Sequence, residues 1–344
     1  MELYVLDKNL DEVCVIDTYK SVIWTTRYYT YGDFELYIPA REEIAAFLQE
    51  DYYVIRSDDE SVMVIEKIEI QTNIEDGDFY IITGSSLESI LARRIIWTQT
   101  NVYAANPVTG INSLITANAI SPSNAARAID KLEVASPISI TGPLDCQFTG
   151  TNLSEAITSI CKQFKIGFKV RIINKKFVCS CYKGQTVNVI FSPEFDNLVS
   201  SDYIFDSSEY RNVALVAGEG EGIDRKTSSV YNTASEPEDL DRREMYIDAR
   251  DLSSNNGEIP AVEYTGKLNQ RGYEKLAENK NNIHFENEII PNLTYVYKQD
   301  YNLGDVVTLM NGYGIEIHPR ITEIIENWDD NGYTIIPTFE EEEV

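Results

Sequence analysis

YYVIR (52–56), SDDES (57–61), VMVIEKIEI (62–70), IEDGD (74–78) and FYIIT (79–83) read as three strands separated by polar breaks. Near the other end, GDVVTL (304–309), NGYG (311–314), IEIHPRITEII (315–325), WDDNG (328–332) and YTIIPTF (333–339) repeat that order. Alternating apolar residues argue for half-buried strands, and Asp/Asn-Gly pairs argue for tight hairpin turns. Residue identity between the two stretches is slight, yet strand lengths and punctuation coincide. Two related β-modules flanking a different middle predict a duplicated barrel. The expected fold is α+β, mainly antiparallel β, with two related β-barrel domains and a small inserted α+β domain. Such a duplication lets few subunits imitate a ring of twice as many.

The charge map supports the same division. The chain of 344 residues carries 29 basic and 56 acidic residues, a net charge of −27. Residues 1–95 hold 8 basic against 20 acidic residues, residues 96–205 hold 9 against 7, and residues 206–344 hold 12 against 29. The expected domains are therefore 1–95, a first barrel; 96–205, the insert; and 206–344, a second barrel. Sequence-specific nucleic-acid binding needs clustered Lys and Arg, which this balance lacks. Strong acidity serves solubility, or a surface that must not hold polyanions. No apolar run reaches the ~18 residues of a membrane span, so no stable membrane insertion is expected. The opening MELYVLDKNLDEVCVID is strand-like and acidic rather than a secretory signal.

Residues 1–38 read as short strands, followed by Pro39 and a helical run from Arg41 to Gln49. In the insert, Ile111 to Leu132 is compatible with one or two helices broken at Ser121-Pro122. Asn152 caps a helix through Phe164, with Leu153, Ile157, Ile160 and Phe164 on one face. This helix is expected to pack on a hairpin over 168–182 and to bury Phe168 and Val170. Beyond 205, Val213 to Val216 reads as a buried strand and 232–260 as an acidic loop around a strand at 245–247. Residues 268–279 form an amphipathic helix with Leu268, Tyr273 and Leu276 inward and Glu274 and Glu278 outward. Ile315, Ile317 and Ile321 alternate with Glu316, His318, Arg320 and Thr322, giving a half-buried strand that Pro319 interrupts.

Catalytic patterns are sparse. Gly218, Gly220 and Gly222 follow a strand, but Glu219 and Glu221 would repel a phosphate and no helix follows to cradle one. They are expected to serve a flexible or bulged connection. Cys14, Cys146, Cys161, Cys179 and Cys181 are too few and irregular for a disulfide framework. Cys179 and Cys181 share a strand face, and reading them as small core residues outweighs a zinc site. His284 and His318 are the only histidines, which makes a His-based nucleophilic apparatus improbable. No carboxylate sits in an apolar run that would obviously raise its pKa. No catalytic, cofactor-binding or metal residue is assigned, and the chain is expected not to be an enzyme. Of the 22 tyrosines, the clusters Tyr28, Tyr29, Tyr31 and Tyr52, Tyr53 suit strands first and protein interfaces second.

TVNVIFSPEFDNL (186–198), YRNVALVAGEGEGIDR (210–225), DRREMYIDARDL (241–252), YNLGD (301–305), RITEII (320–325) and NGYTIIPTF (331–339) together resemble the Gp37-like family of siphovirus tail proteins. The resemblance covers most of the chain. It implies a phage tail-tip or baseplate hub protein, made in the bacterial cytoplasm and housed in the virion tail. In the wider class that such proteins resemble, two tube-like barrels trimerise into a pseudo-sixfold ring. The implied partners are two further copies, the neighbouring tail-tube or distal tail ring, the tape-measure and fibre proteins, and DNA passing without specific binding. The rival expectations are a tail-associated cell-wall hydrolase and a carbohydrate-binding tail module.

Overall fold

In a computed structural model the described residues are 1–344 except 74–76, 256, 290–293, 311–312, 314–315 and 342–344; for 73, 198–203, 282–289 and 341 the backbone alone is described. Most of the expected IEDGD and NGYG turns, and Ile315, lie outside these residues. The alternating N-terminal sequence forms β1 (Leu3–Leu6), β2 (Glu12–Ile16), β3 (Ser21–Arg27), β4 (Asp33–Pro39), a helical turn α1 (Glu42–Ala45), β5 (Tyr53–Arg56), β6 (Val62–Asn73) and β7 (Gly77–Ser86). Their order in the sheet is β2-β1-β5-β6-β7-β4-β3, and every neighbouring pair is antiparallel. Val5, Trp24, Leu36, Val54, Ile65 and Ile82 fill the core it encloses.

The insert contains β8 (Thr100–Ala104), α2 (Pro107–Ile115), β9 (Leu132–Val134), β10 (Leu144–Phe148), α3 (Leu153–Phe164), β11 (Gly167–Ile173) and β12 (Lys176–Tyr182). Asn106 caps α2, which starts four residues before the expected run. It passes into one π-helical turn, Thr116–Ile120, that ends just before Ser121-Pro122. Asn152 caps α3 by accepting the Ser154 N–H at 2.9 Å, and Lys165 closes the helix in the left-handed region. Leu153, Ile157, Ile160, Phe168 and Val170 are buried together, while Phe164 packs half-buried at their margin. The same core runs on through Tyr28, Tyr53, Val62 and Val64, so the insert is cemented to the first strand set.

The remaining elements are β13 (Thr186–Phe191), β14 (Leu198–Asp206), β15 (Val213–Ala217), β16 (Thr227–Tyr231), β17 (Glu244–Asp248), α4 (Ala261–Glu278), β18 (Asn282–Ile289), β19 (Val306–Met310), β20 (Glu316–Ile317), β21 (Pro319–Asp329) and β22 (Gly332–Glu341). The expected border at 205 cuts through β14, which pairs with β18, and β13 pairs with β19. Summing charge over the whole of 96–205 misdirected that border: residues 186–205 hold 3 acidic and no basic residues, masked by the 9 basic residues before them, and Val189 and Phe191 are buried with the second strand set.

The second set has the order β13-β19-β21-β22-β18-β14, which repeats the first set's arrangement. β5, β6 and β7 correspond to β19, β21 and β22; β4 and β3 correspond to β18 and β14. Even the bulges coincide, between Ile65 and Lys67 in β6 and between Ile321 and Glu323 in β21. One end differs: β1 runs antiparallel to β5, whereas β13 runs parallel to β19.

Two closed barrels are not what forms. Among the described residues no sheet closes on itself, because β3 spends its outer edge on β21 and thereby joins both sets into one sheet. The β16-β15-β17 sheet stands apart beneath α4. That helix begins at Ala261, seven residues earlier than expected, and its phase inverts two expectations: Glu274 is buried and Tyr273 exposed. The reason is that α4 has two covered sides, with Leu268 and Leu276 on the small sheet and Glu274 toward β10 and α3.

The substitution Ile160→Asp should cost roughly 3 to 5 kcal/mol, because it sets an unpaired charge where α3 meets the hairpin. Urea unfolding measures it, and unchanged stability would mean that this face of α3 is not core.

Candidate assembly interface

The joint between the two strand sets begins at the β21 bulge. Before it, Arg320 pairs with Val306 of β19; after it, Glu323 to Trp328 pair antiparallel with Arg27 to Val22 of β3. A bulge bends a strand and raises its twist, which lets one long strand serve two partners in succession. Arg27 donates through Nε to Glu323 at 2.5 Å and reaches Asp33 at 2.7 Å, fastening the first pair of the ladder.

One turn of the sheet away, Arg56 of β5 meets Glu326 of β21, with side chains only 1% and 3% exposed. The guanidinium donates to both carboxylate oxygens, at 2.8 and 3.1 Å, and its other edge donates to Asp58 at 3.0 and 3.1 Å. It also lies over Trp328 at 4.3 Å and Trp24 at 5.3 Å. Tyr333 donates to Glu326 at 2.8 Å, and Lys298 sits 3.6 Å from the same carboxylate while pairing with Asp59. Burial works against charge on Asp59, but Lys298 and Arg56 outweigh it and hold its carboxyl below the ordinary range. Arg56, Glu326, Asp58, Asp59 and Lys298 thus each have an oppositely charged partner, the condition under which buried charge is tolerable.

Tyr28, fully buried at the end of β3, ties the three parts together. Its hydroxyl donates to the Lys165 carbonyl and accepts the Gly184 N–H at 3.0 Å, and its own carbonyl accepts the Phe168 N–H at 3.0 Å. Arg320 stacks on the ring at 5.4 Å and donates to the Gly304 carbonyl. Gly304 has φ +95, and a Cβ there would lie 2.2 Å from the Tyr28 ring, so the YNLGD motif must end in glycine before Asp305. Arg320, expected on the solvent side of its strand, is buried for this contact.

The other singled-out residues take structural roles. Gly220 and Gly222 have positive φ in a turn, and the Glu219 carboxylate accepts the Ser254 hydroxyl and N–H; those bonds and Lys226 bring it down to about 2. Cys179 and Cys181 point into the core beside α3, and burial pushes the Cys179 thiol up. His318 is exposed, 3.6 Å from Glu316, and the His284 side chain lies outside the described residues. Tyr28, Tyr29 and Tyr53 are buried. Three carboxylates are raised without lying in an apolar run. Burial raises Glu274 from 4.5 to about 7 although Arg271 and Gln270 oppose it, and burial raises Glu88 and Asp145 as well. All three face neighbouring elements that sequence spacing does not reveal. Arg56 and Glu326 were missed for the same reason, although one charge closing YVIR and one inside IIENW were visible signs.

The family model for the Siphovirus ReqiPepy6 Gp37-like protein matches residues 2–339. The chain belongs to that family. This makes it a structural protein of phage tail or baseplate type, with its place in the virion tail. The tail protein from Neisseria meningitidis MC58 is 12% identical, with a TM-score of 0.60 and coverage of 99% of this chain and 96% of that one. The 43 kDa tail protein of prophage MuSo2 from Shewanella oneidensis is 13% identical, with a TM-score of 0.58 over 99% and 98%. Prophage tail protein gp18 from Listeria monocytogenes EGD-e is 12% identical, with a TM-score of 0.59 over 100% and 96%. At such identities what is shared is the fold. No curated protein matches the sequence. Among the described residues of this Gp37-like chain, no helix is long and apolar enough to cross a membrane.

Replacing Arg56 by Ala strands Glu326 as a buried charge and should cost roughly 3 to 5 kcal/mol, whereas Arg56→Met with Glu326→Leu should recover most of that loss. Denaturant titration of the parent, single and double variants measures it. Glu274 gives a pH effect of known sign. Its folded pKa lies above its unfolded one, so its contribution is present at acid pH and lost as pH rises through about 7. Relative to the parent, Glu274→Gln should gain up to roughly 3 kcal/mol between about pH 5 and about pH 8. A pH-independent difference would mean that Glu274 is solvated.

Proposed function

We propose that this chain is a non-enzymatic hub subunit of the tail tip or baseplate. Three copies, each supplying two related strand sets, form a pseudo-sixfold ring at the distal end of the tail tube. The observation that carries this reading is the repeated strand order with its repeated bulge, which gives one chain two similar wall segments already joined at β3 and β21. The ring stacks on the neighbouring tail-tube or distal tail ring and meets the tape-measure and fibre proteins. DNA passes through without specific binding, a role that suits a chain of net charge −27.

The hydrolase reading finds no support in the cleft of about 570 Å³ between the first strand set, the β11–β12 hairpin and residues 297–303. Its acids are already engaged: Asp58 by Arg56, Asp59 by Lys298, Glu60 by Arg171 and Glu88 by the Val170 N–H. A glycosidase needs two carboxyls facing a substrate. Native mass spectrometry, alone and with the adjacent tail protein, is expected to give a three-chain mass, and antibody labelling should mark the distal tail end. A protein that stays monomeric beside its tail partners, or one that releases fragments from peptidoglycan, would overturn the proposal.

A further inference from the structure

The joint inside one chain specifies the joint between chains. After its bulge, β21 is paired on both edges, by β22 and by β3. Among the described residues, β6 after the matching bulge is paired by β7 alone, since β5 reaches only Val62 to Val64. β14, the counterpart of β3, is likewise paired among the described residues only by β18. Each chain therefore presents one vacant strand edge of the β21 kind and one of the β3 kind, at opposite ends of the eight-strand run β14-β18-β22-β21-β3-β4-β7-β6.

We infer that the edge of β6 from Lys67 to Thr72 pairs antiparallel with β14 of a second copy of this chain, in the register that β21 uses with β3. This rests on the ring reading and adds to it the strands and the register. The register follows from the correspondence of ladders. Ile65 matches Ile321 at the bulges, so Lys67 matches Glu323 and Ile70 matches Glu326. Thr83 pairs with Lys67 and Glu35, Thr338 with Glu323 and Glu286, so Glu35 matches Glu286. Ile23, opposite Glu35, then matches Asp202, opposite Glu286, and Arg27 matches Asp206. Since Glu323 pairs with Arg27 and Ile324 with Thr26, Lys67 falls opposite Asp206 and Ile68 opposite Phe205.

The side chains suit that register. Lys67 and Asp206 are of opposite charge, reversing the Glu323–Arg27 pair that fastens the internal joint. Within the chain Lys67 bonds Glu69 and Asp206 accepts the Ser208 N–H. Ile70 is 63% exposed, Ile204 49% and Phe205 54%, large apolar side chains left in water on the two strands whose edges are vacant. Burying them beside a new strand removes that apolar area, and a paired edge no longer invites random addition. The two edges are complementary but distinct, so the contact is head-to-tail and closes only as a ring.

Two cysteine pairs test the register: Lys67→Cys with Asp206→Cys, and Ile68→Cys with Phe205→Cys. Adjacent cross-strand pairs alternate between wide and close spacing, so one of the two suits a disulfide. Mild oxidation should give covalent dimers and closed trimers that the wild-type chain does not give, whereas Ile68→Cys with Ile204→Cys, facing opposite sides, should not. Independently, Lys67→Asp should weaken association about tenfold per interface, and adding Asp206→Lys should restore it. A chain that forms trimers yet neither cross-links at these pairs nor responds to charge reversal would overturn the strand assignment and leave the ring standing. A chain monomeric in every form would overturn both.

Discussion

The joint between the two strand sets, and with it the proposed wall segment, depends on Arg56 and Glu326. They form a bidentate ion pair sealed from water between the two strand sets, and the sheet that carries both sets passes over them. Burying two charges is costly, and their attraction offsets the cost only if geometry and satellite hydrogen bonds are complete. Here Asp58, Lys298 and Tyr333 complete them, while the guanidinium also lies against the rings of Trp24 and Trp328. A hydrophobic plug could bind as strongly but would tolerate sliding. The fork of Arg against the fork of Glu fixes one register of β21 on β3, because slipping by one residue would turn Glu326 to the opposite face. The angle between the two sets is therefore fixed within the chain.

The parts of the fold legible in sequence were those with local signatures. The two three-strand meanders announced themselves by alternation and turn chemistry, and α3 by Asn152 and the spacing of Leu153, Ile157 and Ile160. What failed was long-range. Nothing in SVIWTTR says that β3 will pair with a strand some 300 residues away, and that pairing is why the sets join instead of closing as barrels. Charge misled in a specific way: a balance summed over 96–205 let the 9 basic residues before 186 mask the 3 acids after it, so β13 and β14 were grouped with the insert. The phase of α4 failed because a single apolar face was assumed. Tyr264, Leu268 and Leu276 do face the small sheet, but Lys267, Gln270 and Glu274 cover a second, polar contact that no hydrophobic pattern marks.

The chain's acidity and its open edges are two halves of one constraint. β6 and β14 are twelve and nine residues long, and long unpaired edges carrying exposed apolar side chains are ready templates for indiscriminate pairing. Soluble proteins usually blunt such edges with lysine, proline or bulges, yet β6 has one lysine past its bulge and no proline. The compensating device is global. At −27, two chains meeting in arbitrary orientation repel over a Debye length of ~8 Å, and only an approach that sets unlike charges against each other lowers that barrier locally. Lys67 is the one cation on the β6 edge, and the register inherited from the internal joint brings it to Asp206 rather than to another β6. Like edges would set Lys67 near Lys67 or Glu69 near Glu69, and would leave the β14 edges open. General repulsion with one complementary contact thus favours the proposed head-to-tail ring over aggregates of like edges.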